Sequence, residues 1–191
     1  MGFNLAILIS GNGSNMLNIL DACEKNILSS NVKVVITNNK NSKGIQAAKK
    51  KTKVFVINEV EMTKFETELN KILITEKVNF ICLAGFMKMF SKKFVNNWNK
   101  KIINIHPSLL PSFPGLNPVK QALDKGVKYT GCTIHFVDEG MDTGQIIDQR
   151  VIKVKRAISL EKLTKKILKE EHILFIKVLL YLEKEFLNDK N

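Results

Sequence analysis

The first hundred residues alternate between short, continuous apolar runs and segments in which apolar residues recur at helical spacing. Continuous apolar runs predict strands that are buried on both faces, as in a parallel sheet. Thr63 and Glu66 have the spacing of a capping box, which predicts that a helix begins at Thr63. The predicted strands are 3–9, 32–37, 54–57, 80–83 and 102–105, and the predicted helices are 16–25, 45–51 and 63–76.

The pattern changes after residue 105, where a proline-rich loop and a short helix lead to residue 126. Two apolar stretches, 129–137 and 145–154, flank a loop rich in Gly and Asp and predict a pair of antiparallel strands. Ser159 is expected to cap a final helix that ends near residue 187. We therefore predict one α/β domain over 1–191, with a Rossmann-like, mostly parallel sheet, helices on both faces and an antiparallel C-terminal addition.

The composition restricts the function classes. The 191 residues carry 30 Lys plus Arg against 18 Asp plus Glu, a formal net charge of +12, but Arg150 and Arg156 are the only arginines. Because base-specific readout depends on bidentate arginine contacts, we expect no nucleic acid as partner. The charge is interpreted as a solvated lysine surface that attracts phosphorylated small molecules. A non-enzymatic nucleotide- or RNA-binding module is the alternative, although arginines interleaved with aromatic residues are missing.

Three cysteines, Cys23, Cys82 and Cys132, lack the CxxC spacing of zinc sites and lie in mostly apolar stretches. We expect free thiols in a reducing compartment, with no metal ion and no disulfide. The N-terminal apolar run is too short for a signal peptide, and no stretch has the length of a membrane span. The chain is therefore expected to be cytoplasmic, with no membrane partner.

The segment SGNGSN, residues 10–15, follows the first predicted strand and opens the first predicted helix. Glycines let backbone N–H groups approach an anion, and a helix N-terminus adds partial positive charge. Met16 replaces the third glycine of a dinucleotide-binding loop, and no GK[ST] of a Walker loop follows. The spacing favours a single phosphate over a pyrophosphate, and the alternative is a plain tight turn with Ser14 or Asn15 as N-cap.

Asn104 and His106 lie two residues apart in an extended segment, so their side chains share one face of the strand. Pro107 disfavours a helical conformation at His106 and holds it extended. This position at a strand end makes His106 a candidate catalytic residue and gives Asn104 a candidate partner in a substrate. The alternative is a core histidine whose nitrogens are satisfied by backbone groups.

Asp142 lies between two glycines in the loop that joins the antiparallel strands. A carboxylate beside His106 would fix its tautomer, favour its protonated form and raise its pKa. Together, Asn104, His106 and Asp142 would provide an oxyanion donor, a proton shuttle and its orienting group, which suits acyl transfer without a covalent nucleophile. Taken alone, Asp142 favours the alternative of a solvated turn aspartate.

The segment AGFMKMF, residues 84–90, follows a predicted strand and is rich in Met and Phe. It is interpreted either as core packing or helix, or as a flat apolar slot for an aromatic cofactor that Gly85 lets approach closely. His135, in the strand before the Asp142 loop, is expected to support the catalytic side chains, with packing in the core as the alternative. Glu171, in the last helix, could reach a substrate amine, whereas His172 is expected at the surface or in packing.

These motifs, in this order, resemble the phosphoribosylglycinamide formyltransferases, the folate-dependent enzymes of purine synthesis. The resemblance covers nearly the whole chain, and its most specific part is the His-Pro-Ser-Leu-Leu-Pro segment with its following Pro-Gly. The matching stretches are ISGNGSN at 9–15, LAGFMKMF at 83–90, NIHPSLLPSFPG at 104–115 and HFVDEGMDTGQII at 135–147.

The resemblance implies a formyltransferase fold and formyl transfer from 10-formyltetrahydrofolate to the amine of glycinamide ribonucleotide, the third step of purine synthesis. It implies that Asn104 and His106 stabilise the oxyanion and that Asp142 supports His106. It assigns the phosphate to Gly13, Ser14 and Asn15, the glycinamide to Gly85 and Glu171, and the folate to Met87, Lys88, Met89, Phe90 and Asn104. We assign 1–105 to a phosphate-binding half and 106–191 to a half with the catalytic loop, antiparallel strands and C-terminal helix.

The chain departs from its relatives at several positions. Lys88 and Ser112 stand where relatives often carry Arg and Lys, and Asn117 replaces a common histidine. A basic residue that meets the folate tail in some relatives falls at Met62, where nearby Lys64 could substitute for it. These departures concern the affinity for the folate tail rather than the chemistry.

Two related enzymes remain as alternatives, methionyl-tRNA formyltransferase and formyltetrahydrofolate hydrolase, which share an Asn-x-His core. The first carries an added C-terminal domain and the second usually an N-terminal regulatory domain, and we expect neither in this chain. Both usually lack the GNGSN segment. The expected partners are the two small-molecule substrates, with a monomer or a homodimer as the assembly.

Overall fold

A computed structural model describes residues 2–188, in which seven strands alternate with six helices. All the strands and helices predicted from the sequence are present, with ends that shift by a few residues. The elements are β1 (Asn4–Ile9), α1 (Ser14–Glu24), β2 (Asn31–Thr37), α2 (Gly44–Lys49), β3 (Lys53–Val56), α3 (Met62–Thr75), β4 (Phe80–Leu83), α4 (Lys92–Asn97), β5 (Ile102–His106), α5 (Pro118–Asp124), β6 (Tyr129–Phe136), β7 (Ile146–Lys153) and α6 (Leu160–Asn188).

The strands form a single sheet in the order β3-β2-β1-β4-β5-β6-β7. The first five strands of the chain pair in parallel, and β6 pairs antiparallel with both β5 and β7. The predicted mostly parallel sheet with an antiparallel addition is therefore confirmed. The chain leaves β1 toward β2 on one side and returns to β4 on the other, and ligands bind in the crevice at such a switch point.

Each face of the sheet carries its own hydrophobic core, which confirms helices on both faces. On one face, Met16 of α1 packs with Leu174 and Phe175 of α6, all of them fully buried or nearly so. On the other face, Phe65 of α3 packs with Phe94 of α4. Strands covered on both faces explain the continuous apolar runs in the sequence. No helix within residues 2–188 is long and apolar enough to cross a membrane.

The predicted capping box at Thr63 is wrong. Helix α3 begins at Met62 with Glu61 as its N-cap residue, and no side chain caps it. The carboxylate of Glu66 instead accepts hydrogen bonds from the N–H and the hydroxyl of Ser91, both at 2.6 Å. Two charge-assisted bonds to a distant loop outweigh one local bond to a helix end. The cap predicted at Ser159 is confirmed, since its hydroxyl accepts a 3.3 Å bond from the Lys162 N–H.

Helix α4 was not predicted from the sequence. Ser91 is its N-cap residue, and its hydroxyl accepts a 3.2 Å hydrogen bond from the N–H of Phe94. A serine before a short polar segment is the usual sign of such a start. Because Glu66 also binds Ser91, one side chain fixes both the start of α4 and the end of the segment that precedes it.

Candidate active site

A cavity of about 300 Å³ opens at the carboxyl ends of β4 and β5. Its wall contains most of the residues that the sequence predicted, although these come from distant parts of the chain. Gly13 and Ser14 are not in the wall but lie directly before Asn15, which is. The predicted residues in the wall are Asn15, Gly85, Met87, Lys88, Met89, Phe90, Asn104, His106, Asp142 and Glu171.

His106 is the last residue of β5, and each of its two ring nitrogens faces one oxygen atom. Its Nε2–H donates to the carbonyl oxygen of Phe113 at 2.9 Å, and its Nδ1 lies 3.3 Å from Oδ2 of Asp142. The loop that carries Phe113 is fixed in turn, because the Ser108 hydroxyl donates to the Ser112 carbonyl at 2.5 Å. The proline-rich loop thus orients the imidazole through a backbone carbonyl and leaves Nδ1 as the nitrogen that can gain or lose a proton.

Burial decides the charge state of His106. Only 5% of the residue is exposed. Desolvation lowers the pKa of His106 below its ordinary value of 6.5, and the Phe113 carbonyl and the Asp142 carboxylate oppose this shift without reversing it. Asp142 does raise the pKa of His106, as the sequence predicted, but the desolvation of the imidazole outweighs the attraction of the carboxylate and the net shift is downward.

Asp142 is fixed in the loop between β6 and β7 with a left-handed backbone, φ 57°. Its Oδ2 accepts a 2.8 Å hydrogen bond from the Gly115 N–H. Burial alone would raise the pKa of Asp142, but His135, the Gly115 N–H and the charge of His106 together hold it below its ordinary value. The carboxylate is thus ionised beside the imidazole, and the alternative of a solvated turn aspartate is excluded.

Asn104 and His135 are directly opposite each other on β5 and β6. The His135 Nδ1–H donates to the carbonyl of Phe136 at 2.8 Å, so Nε2 accepts a hydrogen bond from the Asn104 amide at 3.2 Å. The second amide hydrogen of Asn104 faces Oδ1 of Asp142 across 3.5 Å, at the limit of a hydrogen bond. His135 therefore orients Asn104 and leaves one amide hydrogen weakly engaged toward the cavity.

The phosphate loop, residues 10–15, ends in an uncapped helix N-terminus. Gly13 is the N-cap residue with φ 73°, and no side chain caps α1, so the predicted alternative of a cap by Ser14 or Asn15 is wrong. No acidic residue occupies the first turn. A Cβ at Gly13 would lie 2.9 Å from Cε of Met16. The first-turn N–H groups of α1 are consequently available for an anion.

Asn15 and Glu171 join the two halves of the sequence behind the cavity. The Asn15 amide donates to Oε2 of Glu171 at 2.8 Å, and both residues are buried. Within residues 2–188, the buried Oδ1 of Asn15 has no hydrogen-bond partner. Burial raises the pKa of Glu171, against the effect of the Asn15 hydrogen bond. The pair therefore offers polar atoms whose remaining capacity a ligand can satisfy.

Residues 85–90, predicted to contact the folate and called the folate-side segment for that reason, have no helical structure and line the cavity. Met87 and Met89 are exposed, which leaves apolar surface for a flat ring. Phe90 is buried and stacks between Phe86 and Phe94, with centroids 5.4 and 4.5 Å away. The two interpretations of this segment thus apply to different residues, since the methionines face the opening and Phe90 packs in the core.

Three residues that differ from, or could substitute for, the residues usual in relatives contact their own surroundings in the fold. Lys88 donates to the carbonyl of Glu59 at 2.8 Å and lies over the ring of Phe65. Asn117 borders the cavity as the left-handed N-cap residue of α5. Lys64 pairs with Glu61 at 3.0 Å and does not line the cavity.

Several contributors were not predicted from the sequence. The Phe113 carbonyl and the Gly115 N–H, which contact His106 and Asp142, belong to a recognised motif, but a backbone group has no signature in its side chain. No cluster of three or more His, Cys, Asp or Glu side chains suited to a metal ion occurs within residues 2–188.

Known proteins are similar to this chain over the residues that form the fold and the cavity. The formyl transferase family model matches residues 3–179. Glycinamide ribonucleotide transformylase 1 from Geobacillus kaustophilus is 36% identical, with a TM-score of 0.92 over 96% of this chain and 100% of that one. Phosphoribosylglycinamide formyltransferase from Bacillus halodurans is also 36% identical, with a TM-score of 0.90 over 94% of both chains. The predicted formyltransferase fold is confirmed.

A longer protein is similar to this chain as well. The trifunctional purine biosynthetic protein adenosine-3 of Bos taurus is 41% identical over 175 residues, which are 90% of this chain. The chain spans only 17% of the length of that relative. The family match nevertheless includes the whole cavity, from the phosphate loop to Glu171. The chain belongs to the formyl transferase family.

Proposed function

We propose that the chain transfers the formyl group of 10-formyltetrahydrofolate to the amine of glycinamide ribonucleotide, as a phosphoribosylglycinamide formyltransferase of purine synthesis. The observation that carries the proposal is the cluster of Asn104, His106 and Asp142 in the wall of one cavity, between the phosphate loop and the folate-side segment. A ribonucleotide phosphate on one side and a pterin on the other would bring the amine and the formyl group to this cluster.

The phosphate and the glycinamide would bind at the phosphate-loop end of the cavity. The uncapped N-terminus of α1 would receive the phosphate, with Gly13, Ser14 and Asn15 as its nearest residues. Glu171 and Gly85 would approach the glycinamide, because both line the cavity and bond to the phosphate loop, Glu171 to Asn15 and Gly85 to Ser10. The unpartnered Oδ1 of Asn15 would accept a hydrogen bond from this substrate.

The folate would bind against the folate-side segment. Met87 and Met89 offer exposed apolar surface, and Gly85 has φ 80° with nothing within 4 Å of the position that a Cβ would take. The backbone of Met87, Lys88, Met89 and Phe90 would supply hydrogen-bonding groups to the pterin edge. These residues fit a flat ring with a polar rim, which supports the proposed cosubstrate.

The catalytic residues would have two roles, stabilisation of the oxyanion and transfer of a proton. Attack of the amine on the formyl carbon creates a tetrahedral intermediate with an oxyanion, which the Asn104 amide would stabilise. With its lowered pKa, His106 starts uncharged at neutral pH, and its Nδ1 would take the proton that the amine loses. Asp142 would stabilise the resulting imidazolium and relay the proton to the leaving folate nitrogen, directly or through water.

The two alternative family activities differ from this proposal in their acceptor. A hydrolase would pass the formyl group to water, and a methionyl-tRNA formyltransferase would need a surface for tRNA. The uncapped N-terminus beside the cavity favours a small phosphorylated acceptor over either. A cytoplasmic location follows from this metabolic role and from the predicted reducing compartment.

The test is the release of tetrahydrofolate from 10-formyltetrahydrofolate by the full chain, with and without glycinamide ribonucleotide. We expect release that depends on the ribonucleotide and that falls by about a hundredfold or more in His106→Ala. Release at the same rate without the ribonucleotide would support the hydrolase, and no release by a folded wild-type chain would overturn the proposal.

A further inference from the structure

Ser10 joins three loops at the switch point of the sheet. It directly follows β1, and its N–H donates to the carbonyl of Gly85 at 3.1 Å. Its hydroxyl donates to Oδ1 of Asn38 at 2.7 Å and accepts from the Met87 N–H at 2.9 Å. Because the amide oxygen of Asn38 can only accept and the Met87 N–H can only donate, these roles are unambiguous.

The loop between β2 and α2 braces the same stretch of backbone. Asn39 donates to the Ser10 carbonyl at 3.0 Å, and the Ser42 hydroxyl donates to the Gly11 carbonyl at 2.5 Å. Both bonds hold carbonyl groups of the phosphate loop. They do not reach the folate-side segment, so Ser10 and not Ser42 connects the phosphate loop with Met87.

We propose that Ser10 is a positioning residue that couples the binding of the two substrates, an inference that rests on the proposed function. A ribonucleotide on the phosphate loop would hold the Ser10 hydroxyl in place and with it the Met87 N–H. Met87 and Met89 of the folate-side segment are exposed and the segment lacks regular structure, so fixing its backbone opposes folate binding. A first ligand that orders this connection lowers the cost for the second, and the effect is reciprocal.

The coupling is measured by titration calorimetry on the full chain. The probes are glycinamide ribonucleotide and tetrahydrofolate, which carries no formyl group and therefore does not react. Each Kd is determined alone and with the other ligand at saturation. We expect the wild-type chain to bind each ligand about fivefold or more tightly in the presence of the other.

The coupling ratio is the Kd of a ligand alone divided by its Kd with the other ligand at saturation. In Ser10→Ala this ratio should fall to one, even if both single affinities weaken. Ser42→Ala is the matched control, because it removes a hydroxyl that braces the same loop without a bond to Met87. It should weaken ribonucleotide binding and keep the wild-type ratio. Asn38→Ala, which removes the acceptor that orients the hydroxyl, should reduce the ratio without changing Ser10 itself.

Thermal unfolding of each variant checks that it is folded. A wild-type ratio near one, or an unchanged ratio in folded Ser10→Ala and Asn38→Ala chains, would overturn the coupling while both ligands still bind. Loss of the ratio in Ser42→Ala as well would show that loop integrity, rather than Ser10, carries the effect. A wild-type chain that binds neither ligand would instead contradict the proposed function, and the coupling with it.

Discussion

His106 Nδ1 lies 3.3 Å from Oδ2 of Asp142, and the same oxygen accepts the Gly115 N–H at 2.8 Å. The proline-rich loop therefore controls both partners, since it also supplies the Phe113 carbonyl to Nε2 of His106. In the proposed mechanism, the charged carboxylate would stabilise an imidazolium that forms only during the reaction. The pair is suited to a proton that moves, rather than to a histidine that is permanently charged.

Asp142→Asn should lower kcat by about a hundredfold or more, because it removes the charge that stabilises the imidazolium. Asparagine tolerates the left-handed backbone at this position and can keep the bond from the Gly115 N–H, so the loop should remain folded. Steady-state kinetics measures the effect. Asp138→Asn, in the same loop but bound to Gly140 and Thr143, should cause a much smaller loss. Equal losses in both variants would refute a specific role for Asp142.

The pKa of His106, measured by NMR titration, should lie below 6.5 in the wild-type chain. Asp142→Asn should lower it further, because the carboxylate favours the charged imidazole. The unfolded chain binds this proton more tightly, so His106 contributes stability above its ordinary pKa of 6.5 that is lost as the pH falls from there through the folded pKa. A pKa that rises in Asp142→Asn would contradict the arrangement.

Glu171→Gln should become more stabilising as the pH rises. Burial raises the pKa of Glu171 above its ordinary value of 4.5, so the folded chain binds the proton more tightly than the unfolded chain. The contribution of Glu171 is therefore fully present below pH 4.5 and is lost as the pH rises through the folded value. Glutamine keeps an acceptor for Asn15 without the charge. The Tm difference between variant and wild type should grow from pH 4.5 to pH 8, and a constant difference would exclude a buried, destabilised carboxylate.

Glu66→Ala should loosen the end of the folate-side segment. It leaves the N–H and hydroxyl of Ser91 without their acceptor, which should cost about 1–3 kcal/mol of unfolding free energy. The KM for 10-formyltetrahydrofolate should rise more than that for glycinamide ribonucleotide. Glu68→Ala, on the same helix but exposed, is the control and should change neither. A KM that rises equally for both substrates would argue for a general loss of structure.

Gly13→Ala should raise the KM for glycinamide ribonucleotide about tenfold. An alanine at this positive φ would strain the backbone of the phosphate loop by about 1–3 kcal/mol and so disturb the phosphate site. The new Cβ would meet Met16, and the positive φ disfavours alanine. Gly11→Ala is the matched control, because a Cβ there meets nothing within 4 Å. Similar kinetics for the two variants would show that the backbone at Gly13 is not part of the phosphate site.

The strands and helices could be predicted from the sequence wherever buried positions recur in a regular pattern along the chain. Strands such as β4 are covered on both faces and therefore appear as uninterrupted apolar runs. The common face of Asn104 and His106 followed from the two-residue period of a strand, which no tertiary contact can change.

Other features depend on partners that are remote in sequence. Glu66 binds Ser91 instead of capping its own helix. The acceptor that orients His106 is the Phe113 carbonyl, and a backbone carbonyl has no signature in the sequence. The direction of the His106 pKa also required the structure, because a charged neighbour is visible in a motif whereas the degree of burial is not.

The proposed formyl transfer is tested most directly by the destination of the formyl group. The full chain is incubated with 10-formyltetrahydrofolate and glycinamide ribonucleotide, and the products are identified by mass spectrometry. We expect formylglycinamide ribonucleotide in equal amount to the tetrahydrofolate released, with both lost together in His106→Ala. Formate as the main product, or undiminished transfer by the His106→Ala chain, would contradict it.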